Sequence, residues 1–240
     1  TIDPRNVALF AATAGDWWDR NGPHRLLHRL NPVRLAFIRE AVVAHFGRDP
    51  RSRQPLAGLA ALDVGCGGGL VTEPLARMGA EAHGLDASEA SIAAGRVHAQ
   101  AQGLAIRWHV GEVAELARRH ARHFQLITCL EVIEHVSDVQ GFLESLRRLL
   151  APGGLLVFST PNRTVRSLAV VKVGAEYVAR AVPVGAHDWR AFLTPAELGA
   201  KLEAAGFTVG AIRGLSWSPA RGFRLSDDLS LDYIGTATAD

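Results

Sequence analysis

The chain has 240 residues, 48% of them hydrophobic, a formal net charge of +2 and two cysteines. That is enough apolar material for one well-buried α/β unit. The charge is close to balance and all of the 26 basic residues except Lys172 and Lys201 are arginines dispersed along the sequence, which excludes the clustered basic face of a nucleic-acid binder.

In chain order, residues 1–50 read as an N-terminal helical extension. Trp17 and Trp18 are expected to close it by packing, and Arg34 follows Asn31-Pro32 at a helix start. From residue 51 to 240, short apolar runs alternate with helical patterns, the signature of a mostly parallel sheet covered by helices on both faces. Seven strands are expected: Ala60–Val64, Ala82–Leu85, Ile106–Val110, Gln125–Cys129, Leu155–Ser159, Thr208–Arg213 and Asp232–Thr236. Helices fit between them at Leu70–Gly79, Ser88–Gln102, Val113–His120, Val139–Leu150 and Thr194–Ala205. Ser88 and Thr194 sit where helix caps belong, the latter followed by Pro195 and Glu197, and Pro152-Gly153-Gly154 reads as a helix stop before a strand. Cys66 and Cys129 fall in apolar strand-end contexts, as small hydrophobes in a reducing compartment would. No charged-then-apolar leader and no apolar run near ~18 residues is readable, so cytoplasmic residence is expected.

The run Ala61-Leu62-Asp63-Val64-Gly65-Cys66-Gly67-Gly68-Gly69-Leu70 carries the most chemistry. An apolar strand leads into a turn whose glycines can take positive φ and let a ligand approach bare backbone, ahead of a helix whose first amides face the turn. Asp86, 21 residues beyond Gly65, lies near the spacing of about 20 at which a carboxylate grips ribose hydroxyls. A dinucleotide fingerprint wants a small residue at position 70, which here is Leu. The pattern acid-x-Gly-x-Gly-x-Gly instead resembles the first motif of class I methyltransferases, a doubly wound Rossmann-like fold that binds S-adenosylmethionine. A sulfonium donor tolerates nearby acids such as Asp63 where a pyrophosphate would not. In open parallel sheets ligands lie off the carboxyl ends of the strands, so Gly65, Asp86 and Leu130 are expected to line one crevice.

The fourth strand closes on Leu130-Glu131-Val132-Ile133-Glu134-His135. If the turn there is helical, Glu131, Glu134 and His135 share a face through their three- and four-residue spacing. Two carboxylates and an imidazole suit Mg²⁺, Mn²⁺ or Zn²⁺, and acids in a first helical turn also serve the helix dipole alone. Taken with Trp17-Trp18-Asp19, Leu27-His28-Arg29-Leu30-Asn31-Pro32-Val33-Arg34-Leu35, Ser159-Thr160-Pro161-Asn162-Arg163, Val173-Gly174-Ala175-Glu176-Tyr177 and His187-Asp188-Trp189, the chain is similar over nearly its whole length to the ubiquinone-biosynthesis O-methyltransferase family.

That resemblance implies cofactor contacts at Arg34, Gly65, Asp86 and Leu130, with Gly67 of the glycine turn expected beside them, and a Mg²⁺ site on Glu131, Glu134 and His135; the need to ionise a phenol makes His135 the expected base if no metal binds. It also implies catechol-type polyprenyl phenols and quinols as substrates. Their tails lie in the bilayer, so peripheral attachment to anionic lipid at the bacterial inner membrane face follows, with other quinone-biosynthesis proteins as further partners. The stretch from Thr164 to Val184, apolar apart from Arg166, Lys172, Glu176 and Arg180, fits a membrane-facing insert near 164–190. His187 is a rival base. Two other readings stand beside this one: an NAD-dependent dehydrogenase using the glycine turn, without a Tyr-x-x-x-Lys pair to support it, and a non-catalytic cofactor-binding scaffold in a quinone-biosynthesis complex.

Overall fold

The computed structural model describes residues 11, 13–168, 189–218 and 220–239. After a short 3₁₀ turn at Ala14–Asp16, helix α1 (Arg25–His45) leads into the alternating part of the chain. There β1 (Ala60–Val64), α2 (Thr72–Arg77), β2 (Glu81–Asp86), α3 (Glu89–Ala101), β3 (Ile106–Val110), α4 (Val113–Arg119) and β4 (Phe124–Leu130) follow in turn. Helix α5 (Val139–Leu149), β5 (Leu150–Pro161), α6 (Pro195–Ala204), β6 (Thr208–Ser218), β7 (Gly222–Ser226) and β8 (Asp232–Ala239) complete it.

All eight strands join one sheet in the order β3-β2-β1-β4-β5-β8-β6-β7. The first five run parallel; β8 inserts antiparallel between β5 and β6, and β7 returns antiparallel on β6. The central strand β1 is buried at every residue, as helices on both faces of a parallel sheet require. One apolar cluster (Leu62, Val64, Phe124, Leu143, Leu146, Tyr233) packs the sheet against α4, α5 and α6. The other (Ile38, Val42, Leu56, Leu75, Leu126, Ile234) packs its opposite face against α1 and α2.

The expected caps are present. Ser88 accepts from the Ser91 amide at 3.2 Å. Thr194 and Glu197 form a reciprocal capping box, with Pro195 in the first turn. Three sequence expectations change. Helix α1 runs straight through Pro32, so Arg34 stands mid-helix rather than at a helix start. Strand β5 begins at Leu150, and its pairing with β4 slips between Phe124 and Leu126, which absorbs Pro152-Gly153-Gly154 inside the strand. An eighth strand, β7, joins the seven; it is only five residues long, and its two alternate apolar residues, Phe223 and Leu225, pack against the α1 cluster.

At the centre of the sheet lies a buried carboxylate. Asp63, 3% exposed, accepts from Thr72 Oγ1 of α2 and from Thr128 Oγ1 of β4, both at 2.7 Å. Burial pushes its pKa up to about 6, with the two threonine hydroxyls working against that rise and the charge of Asp86 adding to it. Asp63 is therefore a tie between β1, α2 and β4, and not a wall of the glycine turn. The folded state holds this proton more tightly than the unfolded chain, so stability falls as pH rises from about 3.8 to about 6. Asp63→Asn removes that slope, and urea unfolding at pH 4 and pH 7 should show the variant gaining on the parent by up to about 3 kcal/mol between those pH values.

Candidate cofactor and active site

The chain order places β2 and β3 on one side of β1 and β4 on the other, so the loops after β1 and β4 diverge and leave a crevice at the carboxyl ends of these two strands. Gly65 and Gly67 begin the loop after β1 with φ of +67° and +51°. The Gly65 and Cys66 amides both donate to the Leu85 carbonyl, at 2.8 and 3.1 Å, which pins the loop to the end of β2. A Cβ on Gly65 would stand 2.3 Å from Val132 Cγ2, so the two diverging loops touch at their base.

Asp86 ends β2 and braces the same loop. Its Oδ2 accepts from the Gly67 amide at 2.9 Å and its Oδ1 from the Ser88 amide at 2.8 Å. Burial raises its pKa, and the Ser88, Gly67 and Ala87 amides pull it back. Both oxygens are thereby fixed in direction, with lone pairs left over for a vicinal diol. Cys66 and Cys129 are buried free thiols whose pKa values burial pushes well above the usual one, so neither is a nucleophile.

The tryptophans pack as expected, and they pack on this loop. Trp17 donates to Ser91 Oγ at 3.2 Å and Trp18 to the Gly68 carbonyl at 3.1 Å. A Cβ on Gly67 would meet the Trp17 ring at 2.4 Å. Trp18 also stacks on His98 with centroids 3.5 Å apart, and His98 Nδ1 lies 2.6 Å from buried Glu73, which pairs with Arg77 at 2.8 Å. The N-terminal segment is thus clamped to α2 and α3 directly over the glycines. No periodicity in the sequence announces the His98–Glu73 contact.

Across the crevice, Leu130 ends β4 and joins the apolar cluster under α1. Glu131 follows with φ +57°, outside helical geometry, and only Ile133–His135 form a 3₁₀ turn. The shared helical face expected for Glu131, Glu134 and His135 is therefore absent, because the left-handed residue redirects Glu131. Its Oε1 accepts from Ser159 Oγ at 2.6 Å and lies 2.9 Å from Nη2 of Arg34, which is 2% exposed. Arg34 Nε makes no hydrogen bond, so the buried guanidinium keeps a donor for a further carboxylate.

Glu134 accepts from Thr160 Oγ1 at 2.9 Å through Oε2, while its buried Oε1 has no hydrogen-bond partner. Burial and the neighbouring Glu131 charge push its pKa up to about 8. Asp232, the first residue of β8 and opposite Pro161 in the register, joins the same group. Its Oδ1 is also buried without a partner, and burial and Glu131 hold its pKa well above the carboxylate range. Sequence reading missed Asp232 as a site residue, since only the antiparallel β5–β8 pairing brings it there.

Three carboxyl groups thus face one guanidinium, with two buried oxygens unpaired, and this shortage of positive charge fits a divalent cation with oxygen ligands. The ligand atoms of Glu131, Glu134 and His135 do not converge as they stand: among the described residues the one such trio within 4.8 Å of one another is elsewhere, at Glu81, His83 and His123. His187 lies outside the described residues.

A family model described as a methyltransferase domain matches residues 25–212. The ubiquinone biosynthesis O-methyltransferase of Azorhizobium caulinodans is 46% identical over 98% of this chain and 92% of its own length. The protein of that name from Caulobacter sp. is 45% identical over 100% and 96%. The chain belongs to the ubiquinone biosynthesis O-methyltransferase family. It is an S-adenosylmethionine-dependent methyltransferase. Its fold is that of magnesium protoporphyrin IX methyltransferase from Synechocystis, solved with S-adenosylhomocysteine, at a TM-score of 0.68 and 20% identity over 99% of this chain and 100% of that one. The same enzyme solved with S-adenosylmethionine gives a TM-score of 0.66 at 19% identity.

In this methyltransferase, losing the Asp86 carboxylate removes charge-assisted hydrogen bonds worth about 1.5–3 kcal/mol each. Asp86→Ala should weaken S-adenosylhomocysteine binding by at least about tenfold in calorimetry. An unchanged affinity would mean that the cofactor's sugar is held elsewhere.

Proposed function

We propose that the chain methylates catechol-type polyprenyl intermediates, 2-polyprenyl-6-hydroxyphenol and 3-demethylubiquinol, on oxygen during ubiquinone biosynthesis. The names of relatives at 45 and 46% identity over nearly full length support the pathway. The observation that carries the chemistry is the buried, partly unpaired Glu134 carboxyl in the loop after β4, across the crevice from the glycine loop.

A phenol with a pKa of about 10 is ionised about once in a thousand molecules at pH 7, a deficit of roughly 4 kcal/mol. When bound, S-adenosylmethionine supplies an electrophilic methyl group on a sulfonium. Asp86 clasps its ribose, Arg34 meets its amino-acid carboxylate, and the Trp17-Trp18 segment keeps water from the glycine loop. If no metal binds, His135 at the other wall takes the phenolic proton, while Glu134, pushed up to about 8, keeps its own proton at pH 7. Glu131, Glu134 and His135 would hold Mg²⁺, after Glu131 turns from Ser159, and the ion's charge would lower the pKa of a coordinated phenol.

Incubation with S-adenosylmethionine and a short-tailed catechol, read by product mass, should yield the monomethyl ether. EDTA, Glu134→Gln and His135→Ala should each lower turnover by about a hundredfold. Full turnover in EDTA with His135→Ala inactive would assign the proton to the imidazole without a metal. Methyl transfer with all three acidic and imidazole groups replaced would reject the reading. Isotope transfer from labelled donor separates it from the dehydrogenase alternative.

We also infer peripheral attachment to anionic lipid, from the sequence of the 164–184 stretch; Lys172, Glu176 and Arg180 lie outside the described residues. No helix among the described residues is long and apolar enough to cross a membrane. The protein should float with phosphatidylglycerol-containing vesicles, and salt or Lys172→Glu with Arg180→Glu should release it. Equal flotation of parent and variant would refute this attachment.

A further inference from the structure

Far from the crevice, four histidines gather on the face of the sheet that carries α4. His83 of β2 is 1% exposed, and its Nδ1 lies 3.0 Å from Nε2 of His109 on β3. Its ring centroid is 5.7 Å from that of His123, just before β4, and 6.3 Å from that of His120, at the end of α4. Glu81, the first residue of β2, brings Oε1 to 3.6 Å from His83 Nε2.

The hydrogen bonds assign the tautomers. Arg107 Nη1 lies 3.3 Å from His83 Nε2, and a guanidinium only donates, so Nε2 of His83 carries the lone pair. The ring proton is then on Nδ1 and is donated to His109 Nε2. An imidazole whose far nitrogen is held by a hydrogen bond while the near one presents its lone pair beside a carboxylate has the posture of a metal ligand. The three donor atoms of Glu81, His83 and His123 lie within 4.8 Å of one another. A tetrahedral ion with bonds of about 2.0–2.1 Å spaces its ligands by about 3.3 Å. The Glu81–His83 separation already approaches that figure, and Glu81 and His123 are exposed side chains able to close the rest.

We propose that Glu81, His83 and His123 bind a zinc-class divalent transition ion at the amino-terminal edge of the sheet, with the fourth position open. Two imidazoles and one carboxylate are a donor set for Zn²⁺ and not for Mg²⁺. Arg107 forms a close ion pair with Glu81, and its guanidinium is the competitor that an arriving ion displaces. Glu81 and Asp86 stand at opposite ends of β2, about 16 Å apart at ~3.3 Å per residue, so the ion is separate from the cofactor and from the Glu131–Glu134–His135 group. Its effect would be to fasten β2 to the loop entering β4.

The test uses the full chain without a histidine tag, stripped with EDTA and exchanged into buffer, then titrated with ZnCl₂ by calorimetry and with Co²⁺ by visible absorption. One equivalent of Zn²⁺ should bind, and Co²⁺ should give the intense bands of a four-coordinate site. His123→Ala and Glu81→Gln, both at exposed positions, should each weaken binding by at least about tenfold, and Arg107→Ala should tighten it. S-adenosylhomocysteine affinity should be the same in all of these proteins. No binding by the parent, equal binding by His123→Ala and Glu81→Gln, or loss of the ion in Glu131→Gln instead would each overturn the proposal.

Discussion

The site rests on a carboxylate that never reaches it. Asp63 is buried without a cation, and two threonine hydroxyls, one from the helix after the glycine loop and one from the neighbouring strand, hold it in place. Because one residue joins β1, α2 and β4, it fixes the angle at which the two loops part, and the crevice is the consequence. A hydrogen-bonded charge in the interior is costly on its own, but it leaves little freedom to the elements that share it. The loops after β1 and β4 are therefore set against each other before any ligand arrives.

Above that tie the two walls have opposite character. The glycine wall offers bare backbone and the fixed oxygens of Asp86, suited to a neutral sugar. The wall after β4 holds Glu131, Glu134 and Asp232 around a single guanidinium, Arg34, and Glu134 and Asp232 keep their protons at pH values where exposed carboxyls have lost them. In the proposed reading the cationic donor lies between these walls, where its charge would relieve the crowding of buried acids.

The N-terminal segment explains why the glycines are so exacting. Any side chain at Gly67 would strike Trp17, and any at Gly65 would strike Val132. Positive φ is one reason for glycine at these positions and close packing from both sides is another. Stacking of Trp18 on His98, with Glu73 beneath, binds the segment to two helices that the glycine loop also contacts.

Local sequence determined most of what is repeated along the chain: the strand and helix alternation, the Ser88 and Thr194 caps, the positive-φ glycines and the acid at the end of β2. Each of these depends on residues close together in the chain, where propensity and hydrogen bonding to the adjacent backbone decide the outcome. The sequence also placed Arg34, Glu131, Glu134 and His135 in motifs, but not their geometry. A left-handed Glu131 breaks the helical face that spacing suggested, and Pro32 is carried inside a helix because α1 is held by packing against the sheet. Tertiary structure alone decided the partners of Arg34, the arrival of Asp232, the eighth strand and the histidine cluster. All of these join residues far apart in the chain, and no local pattern records which strands become neighbours when a sheet is assembled out of sequence order.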